Sequence, residues 1–200
     1  MERGRKLAVV ATALLAAFVI SGCGSMRETL PARSAMEQLV ISTSADRAVD
    51  SVPAQELDGK KVFVDASNLE ATDKAYVIQC MRDLVLDSNG VLVKAREDAD
   101  LALEVASGAL SLNKRDYLFG LPAIPLPIPG GGESWQFPEI PLFKAIFYRG
   151  KAKLRVSAVD AKASEKAFEI PMCYGQAYTH FWWILLFGPF ETSDLPEEIQ

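Results

Sequence analysis

The sequence predicts an α+β fold: a single mixed β-sheet with a β-α-β unit, an N-terminal helix and a C-terminal antiparallel hairpin or meander. The first observation behind this prediction is a strand, a helix and a strand in succession over residues 61–96, a length that requires a parallel crossover. The second is a capped amphipathic pattern at residues 34–52. The third is the alternation of apolar and polar residues beyond residue 142, which is typical of antiparallel strands with one buried face.

The N-terminal helix has signals at both ends. Ser34 stands three residues before Glu37, which is the spacing of a capping box, and Pro53 ends the pattern. Three apolar residues at positions 36, 39 and 40 lie off the main apolar face, so we expect another part of the chain to cover the first turns. The main face consists of Ile41, Ala45, Ala48, Val49 and Val52.

The β-α-β unit starts with a strand over residues 61–66. A helix follows from Thr72 or Asp73 to about Asp87, and Asn89-Gly90 closes it. A second strand is predicted over residues 91–96, and a third begins at residue 101 after an acidic turn. The helix is expected to bury a stripe spaced three and four residues apart: Tyr76, Val77, Cys80, Met81 and Leu84.

A long apolar segment, residues 113–141, separates this unit from the C-terminal strands. It contains prolines at positions 122, 125, 127 and 129 and three glycines at 130–132. Prolines this close together disfavour a helix and an interior strand, so the sequence predicts a loop. An apolar loop of this length is not typical of ordinary surface.

Strands return in the C-terminal part of the domain. They are predicted at residues 142–148 and 151–159, and residues 166–173 complete a hairpin with the second of them. Residues 181–190 form an aromatic segment, and residues 191–200 read as an acidic tail. Because a strand here would be apolar on both faces, we expect the proline-rich loop to cover one of them.

The first 23 residues have the order of an export signal. Arg3, Arg5 and Lys6 precede the apolar run 7–20, and two small residues then precede a cysteine. The apolar run is shorter than the roughly 20 residues of a membrane-spanning helix. The stretch Ile20-Ser21-Gly22-Cys23 resembles the lipobox of bacterial lipoproteins.

This resemblance implies a location and an anchor. In that family the cysteine thiol receives diacylglycerol, the peptide is cut before the cysteine, and the new amino terminus is acylated with a fatty acid such as palmitate. Residues 1–22 would then be a signal peptide, and residues 23–33 a lipidated cysteine and tether. By resemblance to enterobacterial lipoproteins, Gly24 favours the outer membrane, facing the periplasm. The bilayer is therefore the first predicted partner.

Composition limits what the remaining chain can bind. Residues 1–22 hold three of the 21 basic and one of the 26 acidic residues, so the rest carries a formal charge of −7. A chain this acidic, without a basic run, lacks the footprint for phosphate backbones, and we expect no nucleic acid partner. Its length fits one domain, predicted over residues 34–190. A disulfide between Cys80 and Cys173 would require the fold to bring them within reach, and we predict that they remain unpaired.

The sequence contains no recognisable catalytic or metal-binding constellation. His180 is the only histidine, which leaves one candidate base and no multi-histidine metal site. The glycines at 130–132 are not followed by the Lys-Ser/Thr of a phosphate loop. We predict neither catalytic residues nor a metal or cofactor.

The body of the chain resembles a family of bacterial envelope lipoproteins of unknown function. The segments that carry the resemblance are Glu37–Asp50, Lys61–Asp65, Leu126–Gly130, Trp182-Trp183 and Phe187–Pro189. It implies a non-catalytic binding or assembly accessory module with an envelope protein as partner. The alternative is a subunit of an oligomeric export pore, and an enzyme is a third reading. The expected partner or membrane surface comprises Leu121, Ile124, Leu126, Ile128, Trp135, Trp182, Trp183 and Phe187.

Overall fold

The computed structural model describes residues 33–126, 135–185 and 187–196. The predicted signal peptide, the lipobox with Cys23, and Ile128 lie outside these residues. The described part belongs to one compact unit that starts at Arg33. Its two hydrophobic clusters are formed by residues between Val40 and Leu195, so this body has a core of its own.

Helix α1 (Ala35–Val49) forms where the sequence predicts it. Ser34 is the N-cap: its hydroxyl accepts a hydrogen bond from the Glu37 amide, and the Glu37 carboxylate accepts one from the Ser34 amide. The five residues of the predicted apolar face are all buried. Val40 is buried in a separate small cluster with Ala177 and Leu195, which confirms that other elements cover the first turns.

A short 3-10 helix (Ala54–Leu57) leads to the β-α-β unit, which consists of β1 (Lys61–Asp65), α2 (Lys74–Asp87) and β2 (Val91–Leu92). Strand β2 is shorter than predicted, because the chain turns into a second 3-10 helix at Arg96–Asp98. Strands β1 and β2 pair in parallel, as the crossover requires. Helix α2 ends as predicted, with Asn89 in the left-handed conformation at a φ of 57°.

The buried stripe of α2 differs from the predicted one. Val77, Met81 and Val85 are fully buried, whereas Cys80 and Leu84 are partly buried and Tyr76 is 43% exposed. The buried face of α2 is therefore centred on Val85, where the sequence predicts Leu84. Both assignments satisfy helical spacing, and the position of the sheet under the helix decides between them.

The remaining elements are strands, in this order: β3 (Leu101–Leu121), β4 (Ile124–Leu126), β5 (Trp135–Phe137), β6 (Ile140–Asp160), β7 (Lys166–Phe168), β8 (Cys173–Ile184) and β9 (Phe187–Ser193). The main sheet has the order β2-β1-β3-β6-β8-β9, with β7 paired to β6. Strand β3 is parallel to β1, and the pairs from β3 through β9 are antiparallel. The mixed sheet and the α+β class are as predicted.

Both helices pack on the same face of the main sheet, here called the inner face. In β6 this face carries Ala152, Leu154, Val156 and Ala158, while Lys151, Lys153 and Arg155 point to the opposite, outer face, as predicted. Two glycines let α1 approach closely. A Cβ at Gly150 would meet the carbonyl oxygen of Val40, and one at Gly175 would meet that of Ser44.

The predicted loop at residues 113–141 is largely strand. Strand β3 continues to Leu121 and β6 begins at Ile140, with β4 and β5 as a separate two-stranded pair between them. The predicted strands 142–148 and 151–159 are therefore parts of one strand of 21 residues. Prolines are accommodated because Pro141 stands opposite Gly120 at a β-bulge, where the regular ladder is interrupted.

The segment predicted as an acidic tail also belongs to the fold as far as Leu195. Strand β9 runs through Ser193, and Leu195 is buried. The Asp194 carboxylate accepts hydrogen bonds from the Arg47 guanidinium (2.7 Å) and the Tyr178 amide (2.7 Å). Asp194, a residue of the predicted tail, thus links β8 to helix α1 through hydrogen bonds.

Candidate binding surface

Four strands extend beyond the helices as a projecting part of the sheet, here called the arm. It comprises residues 113–121 of β3, 140–149 of β6, 178–184 of β8, and β9. At about 3.4 Å per residue, the β3 portion alone is roughly 30 Å long. Of the described arm residues, Ala145 and Thr179 are the fully buried ones. The arm is therefore mostly surface.

The outer face of the arm is ordered in rows that cross the strands. The outermost row that spans all four strands, here called the tip row, consists of Phe119, Phe143, Ile184 and Phe187, and the exposed pair of Leu121 with Ile140 lies beyond it. The second row is Tyr117, Ala145, Trp182 and Phe190, and the third is Arg115, Phe147, His180 and Thr192. The next rows bring Asn113, Arg149 and Tyr178, and then Ser111, Lys151 and Gln176.

The tip row is apolar and largely exposed. Phe119 is 69% exposed and Phe187 is 70% exposed. Leu118, Leu142 and Leu185 are also exposed. By strand alternation, Leu118 and Leu142 belong to the inner face. The end of the arm therefore exposes apolar side chains on both faces, although the inner face also carries Lys144, which lies opposite Leu118 and is paired with Glu139.

Aromatic rings pack against one another behind the tip row. Trp182 stacks on Phe190 with ring centroids 4.5 Å apart, and Tyr117 meets Phe147 edge to face at 5.5 Å. Such pairs hold the rings in fixed positions. The outer face of the arm therefore presents aromatic rings that are packed against one another.

A cleft of about 230 Å³ lies where the aromatic rows meet the cationic ones. Its lining residues are Asn113, Arg115, Tyr117, Phe147, Arg149 and Lys151. Among the described residues, none of its three cations has a carboxylate oxygen within 4.0 Å, whereas Lys114 and Lys144 are paired with Asp116 (3.8 Å) and Glu139 (2.8 Å). The cleft thus has unneutralised positive charge beside aromatic rings, which suits an anionic group.

His180 lies in the middle of this surface. Its ring stacks on Tyr178 at 4.8 Å and meets Phe147 edge to face at 4.6 Å. Burial and the nearby Arg149 lower the pKa of His180, so the ring is neutral at pH 7. Its buried Nε2 has no hydrogen-bond partner among the described residues. These contacts fit a packing role better than that of a general base.

A second cleft lies between the two helices and is acidic. Asp46 accepts hydrogen bonds from the Tyr76 hydroxyl (2.8 Å) and the Cys80 thiol (3.4 Å), beside Asp83 and Asp87. Burial and this contact with Asp46 raise the pKa of Cys80 to about 12. The thiol is therefore protonated and a poor nucleophile. Cys80 and Cys173 are both free.

The predicted surface residues that the structure describes lie on the arm or on the strand pair at its end. Leu121 and Ile124 are exposed, as is Phe187, whereas Trp182 and Trp183 are partly buried. Leu126 pairs with Trp135 through the backbone of β4 and β5. We expected the proline-rich loop to cover one face of the aromatic segment. Leu121, Ile124 and Phe187 are all exposed, so Leu121 and Ile124 do not provide that cover. Residues 127–129 of the expected cover lie outside the described residues.

Sequence reasoning missed the cationic half of the surface. Arg115, Arg149 and Lys151 are far apart in the sequence, and β-pairing brings them together. The alternation in 151–159 places Lys151 on the wet face, but the register that aligns it with β3 is not visible in the sequence.

The described residues lack two further features. None of the helices in this part of the chain is long and apolar enough to cross a membrane. Within the same residues, no group of three or more His, Cys, Asp or Glu side chains could hold a metal ion.

The described part of the chain thus combines an α+β body with an arm that exposes apolar and cationic side chains. The chain belongs to a family of unknown function, DUF6655, which matches residues 17–199. No curated protein matches the chain.

Proposed function

We propose that this protein is a membrane-anchored, non-catalytic binding or assembly module of the bacterial cell envelope. Acylated Cys23 would hold it to the membrane, with the outer membrane favoured, and the arm would engage another envelope component. The observation that carries this proposal is the exposed tip row, with Phe119 and Phe187 each about 70% exposed. Large contiguous apolar patches on soluble domains commonly mark contact sites for proteins or lipid.

The anchor is supported by the resemblance of residues 20–23 to a lipobox. Each buried methylene contributes about 0.8 kcal/mol to membrane attachment, and two or more acyl chains give stable anchoring where one gives reversible binding. The non-catalytic part is supported by the contacts of His180 with two aromatic rings, which favour a packing role, and by the protonated thiol of Cys80, which is a poor nucleophile.

Metabolic labelling with a palmitate analogue tests the anchor. The wild-type chain and a Cys80→Ser control should incorporate label, and Cys23→Ser should not, because it lacks the thiol that receives diacylglycerol. Cys23→Ser should also remain uncleaved by lipoprotein signal peptidase. Label retained on Cys23→Ser would show that the anchor assignment is wrong.

The apolar tip, exposed on both faces, also suits the alternative of a subunit in an oligomeric export pore. Native mass separates the two proposals when it is measured in detergent and in its absence. A monomer under both conditions supports the binding module. A defined oligomer that persists in detergent and dissociates when the tip row is made polar would favour the pore subunit.

A further inference from the structure

The rows of the outer face follow the polarity profile of a lipid surface. The tip row is apolar, the second row contains Tyr117 and Trp182, and Arg115 lies in the third row. Successive rows are about 7 Å apart, since two residues separate them along a strand. Tryptophan and tyrosine prefer the boundary between hydrocarbon and head groups, and cations prefer the phosphate level. The row order therefore matches a bilayer entered tip first.

The distances agree with shallow insertion. Interfacial elements bury their apolar part about 5–10 Å deep. With the tip row at that depth, the second row lies at the interface and Arg115, about 14 Å behind the tip row, lies near the phosphates. Arg149 and Lys151 follow about 21 and 28 Å behind the tip row. At these distances they attract an anionic surface only through a field that salt screens with a Debye length of about 8–10 Å.

Two observations favour lipid over a protein partner. Exposed apolar side chains occur on both faces at the end of the arm, and a partner packed on one face would leave those on the other face in water. Insertion into an apolar phase covers both. In addition, the cations of the outer cleft lack carboxylate partners among the described residues, although the chain as a whole is acidic. Local charge and apolar surface are thus combined at one end of the molecule.

We infer that the arm is a membrane-binding element: its tip row enters the head-group region of an anionic bilayer, Arg115 lies at the lipid phosphates, and Arg149 and Lys151 add a longer-range attraction to the anionic surface. This inference rests on the proposed function in one respect, namely that the arm is the binding element. It names the bilayer surface as what the arm contacts. An acyl anchor would keep the bilayer at high local concentration, so that even weak contacts of the arm become effective.

Vesicle flotation of the body, residues 33–200, tests the charge part without the anchor. Wild type should bind vesicles of phosphatidylcholine with about 30% phosphatidylglycerol and bind pure phosphatidylcholine much more weakly. The triple variant Arg115→Gln, Arg149→Gln, Lys151→Gln should lose at least about fivefold in affinity, because a cation near an anionic leaflet contributes about that factor and the two cations behind Arg115 add smaller screened contributions. A matched control with the same charge change, Arg82→Gln, Lys94→Gln, Lys162→Gln, replaces exposed cations elsewhere and should bind normally.

The apolar part is tested by replacing the tip row. Phe119→Ser with Phe187→Ser should abolish binding and the quenching of tryptophan fluorescence by brominated lipid. The control pair Leu86→Ser with Val91→Ser removes apolar side chains that are 52% exposed elsewhere and should leave both signals unchanged. Circular dichroism melts of all variants show that each is folded before vesicles are added.

Several results would overturn the inference. These are absent vesicle binding by wild type, equal binding to neutral vesicles, equal losses in the arm and control triples, or competition by millimolar inorganic phosphate alone. A body that dimerises through the tip row and ignores vesicles would make a second copy the occupant. These outcomes are separate from the Cys23 labelling result. An acylated protein whose arm ignores lipid keeps the proposed function and loses this inference.

Discussion

Whether a residue of α2 is buried depends on which of two adjacent positions, Leu84 or Val85, faces the sheet. Met81 and Val85 lie at the base of α2 and are fully buried, whereas Leu84 is partly exposed beside the acidic cleft. Both positions fit a three-and-four spacing, so periodicity alone does not separate them.

Truncating these residues should give unequal losses. Met81→Ala leaves a cavity against a packed cluster and should cost about 2–5 kcal/mol in the free energy of unfolding. Leu84→Ala should cost clearly less, because water can replace part of what is removed. Urea unfolding of the body measures both. Equal losses would place Leu84 in the core and contradict the structure.

His180 should make stability depend on pH, because the pKa of this residue is lowered from its ordinary value of 6.5 by burial and Arg149, against a smaller raising effect of Asp194. The unfolded chain therefore takes up a proton first as the pH falls. The stabilising contribution of neutral His180 is complete above about pH 7 and is lost as the pH falls below 6.5 toward the native pKa.

This pH effect can be assigned to one residue, since His180 is the only histidine in the chain. His180→Phe keeps a ring between Phe147 and Tyr178 and removes the titration. The free energy of unfolding, measured in urea at pH 7, 6 and 5, should fall less steeply for the variant than for wild type. Parallel curves would show that His180 does not titrate in this range.

Helix α1 packs with its backbone directly against two glycines of the sheet. Gly150 and Gly175 are neighbours on the inner face, and α1 crosses them so closely that a Cβ would contact the carbonyl oxygens of Val40 and Ser44. Small residues in a central strand usually weaken it. Here the two glycines allow α1 to pack closely on the sheet, so that Val40 is buried in the second hydrophobic cluster.

Gly175→Ala should therefore be strongly destabilising despite its small size. Because the helix backbone must move to make room, the loss should reach or exceed the 1–3 kcal/mol that is typical of overpacking. Gly108→Ala is the matched control, since its Cβ would meet the flexible side chain of Lys153 at 3.2 Å. Its effect should be within about 0.5 kcal/mol. Thermal and urea unfolding should rank the variants in this order.

The sequence predicted those elements whose two faces differ. Three local predictions are confirmed by the structure: the capping box of α1, the left-handed Asn89 and the alternation in residues 151–159. The outer half of β6 was predicted as a separate strand at residues 142–148, and the outer half of β3 was missed. Residues 113–116 are all polar and residues 117–121 lack polar alternation, so the period-two pattern is absent, and the prolines that follow suggested a loop.

Strand length and register could not be predicted for the same reason. What fixes the arm is pairing between residues far apart, such as Phe119 with Phe143 and Phe143 with Ile184. The cationic cleft depends on this register. Of the outer-face rows, Trp182 and Phe187 were among the predicted surface residues, and the other members emerged only from the pairing of the sheet.

The described part of the molecule divides into a well-packed base and a thinly packed arm. Both helices cover the base, where residues of β3 and β6 such as Leu103, Leu154 and Val156 are buried. The first turns of α1 reach only the start of the arm, at Tyr148, and the strands continue beyond this contact. Regions with few buried apolar contacts open locally at a lower free energy than global unfolding requires. One continuous strand, β6, therefore passes from a stable region into a less stable one.

Native-state hydrogen exchange should show this division within β6. Residues 150–154 and 143–147 pair with β3 and β8 on both sides, so they differ mainly in cover from α1 and not in their neighbours in the ladder. Amides at 143–147 should exchange through local openings that are insensitive to low denaturant, whereas those at 150–154 should require larger, denaturant-dependent unfolding. Equal protection along the strand would show that the arm is as stable as the base. If the arm binds lipid as inferred, vesicles with phosphatidylglycerol should slow exchange at 143–147 and leave 150–154 unchanged, because binding stabilises only the segment that opens without unfolding the base.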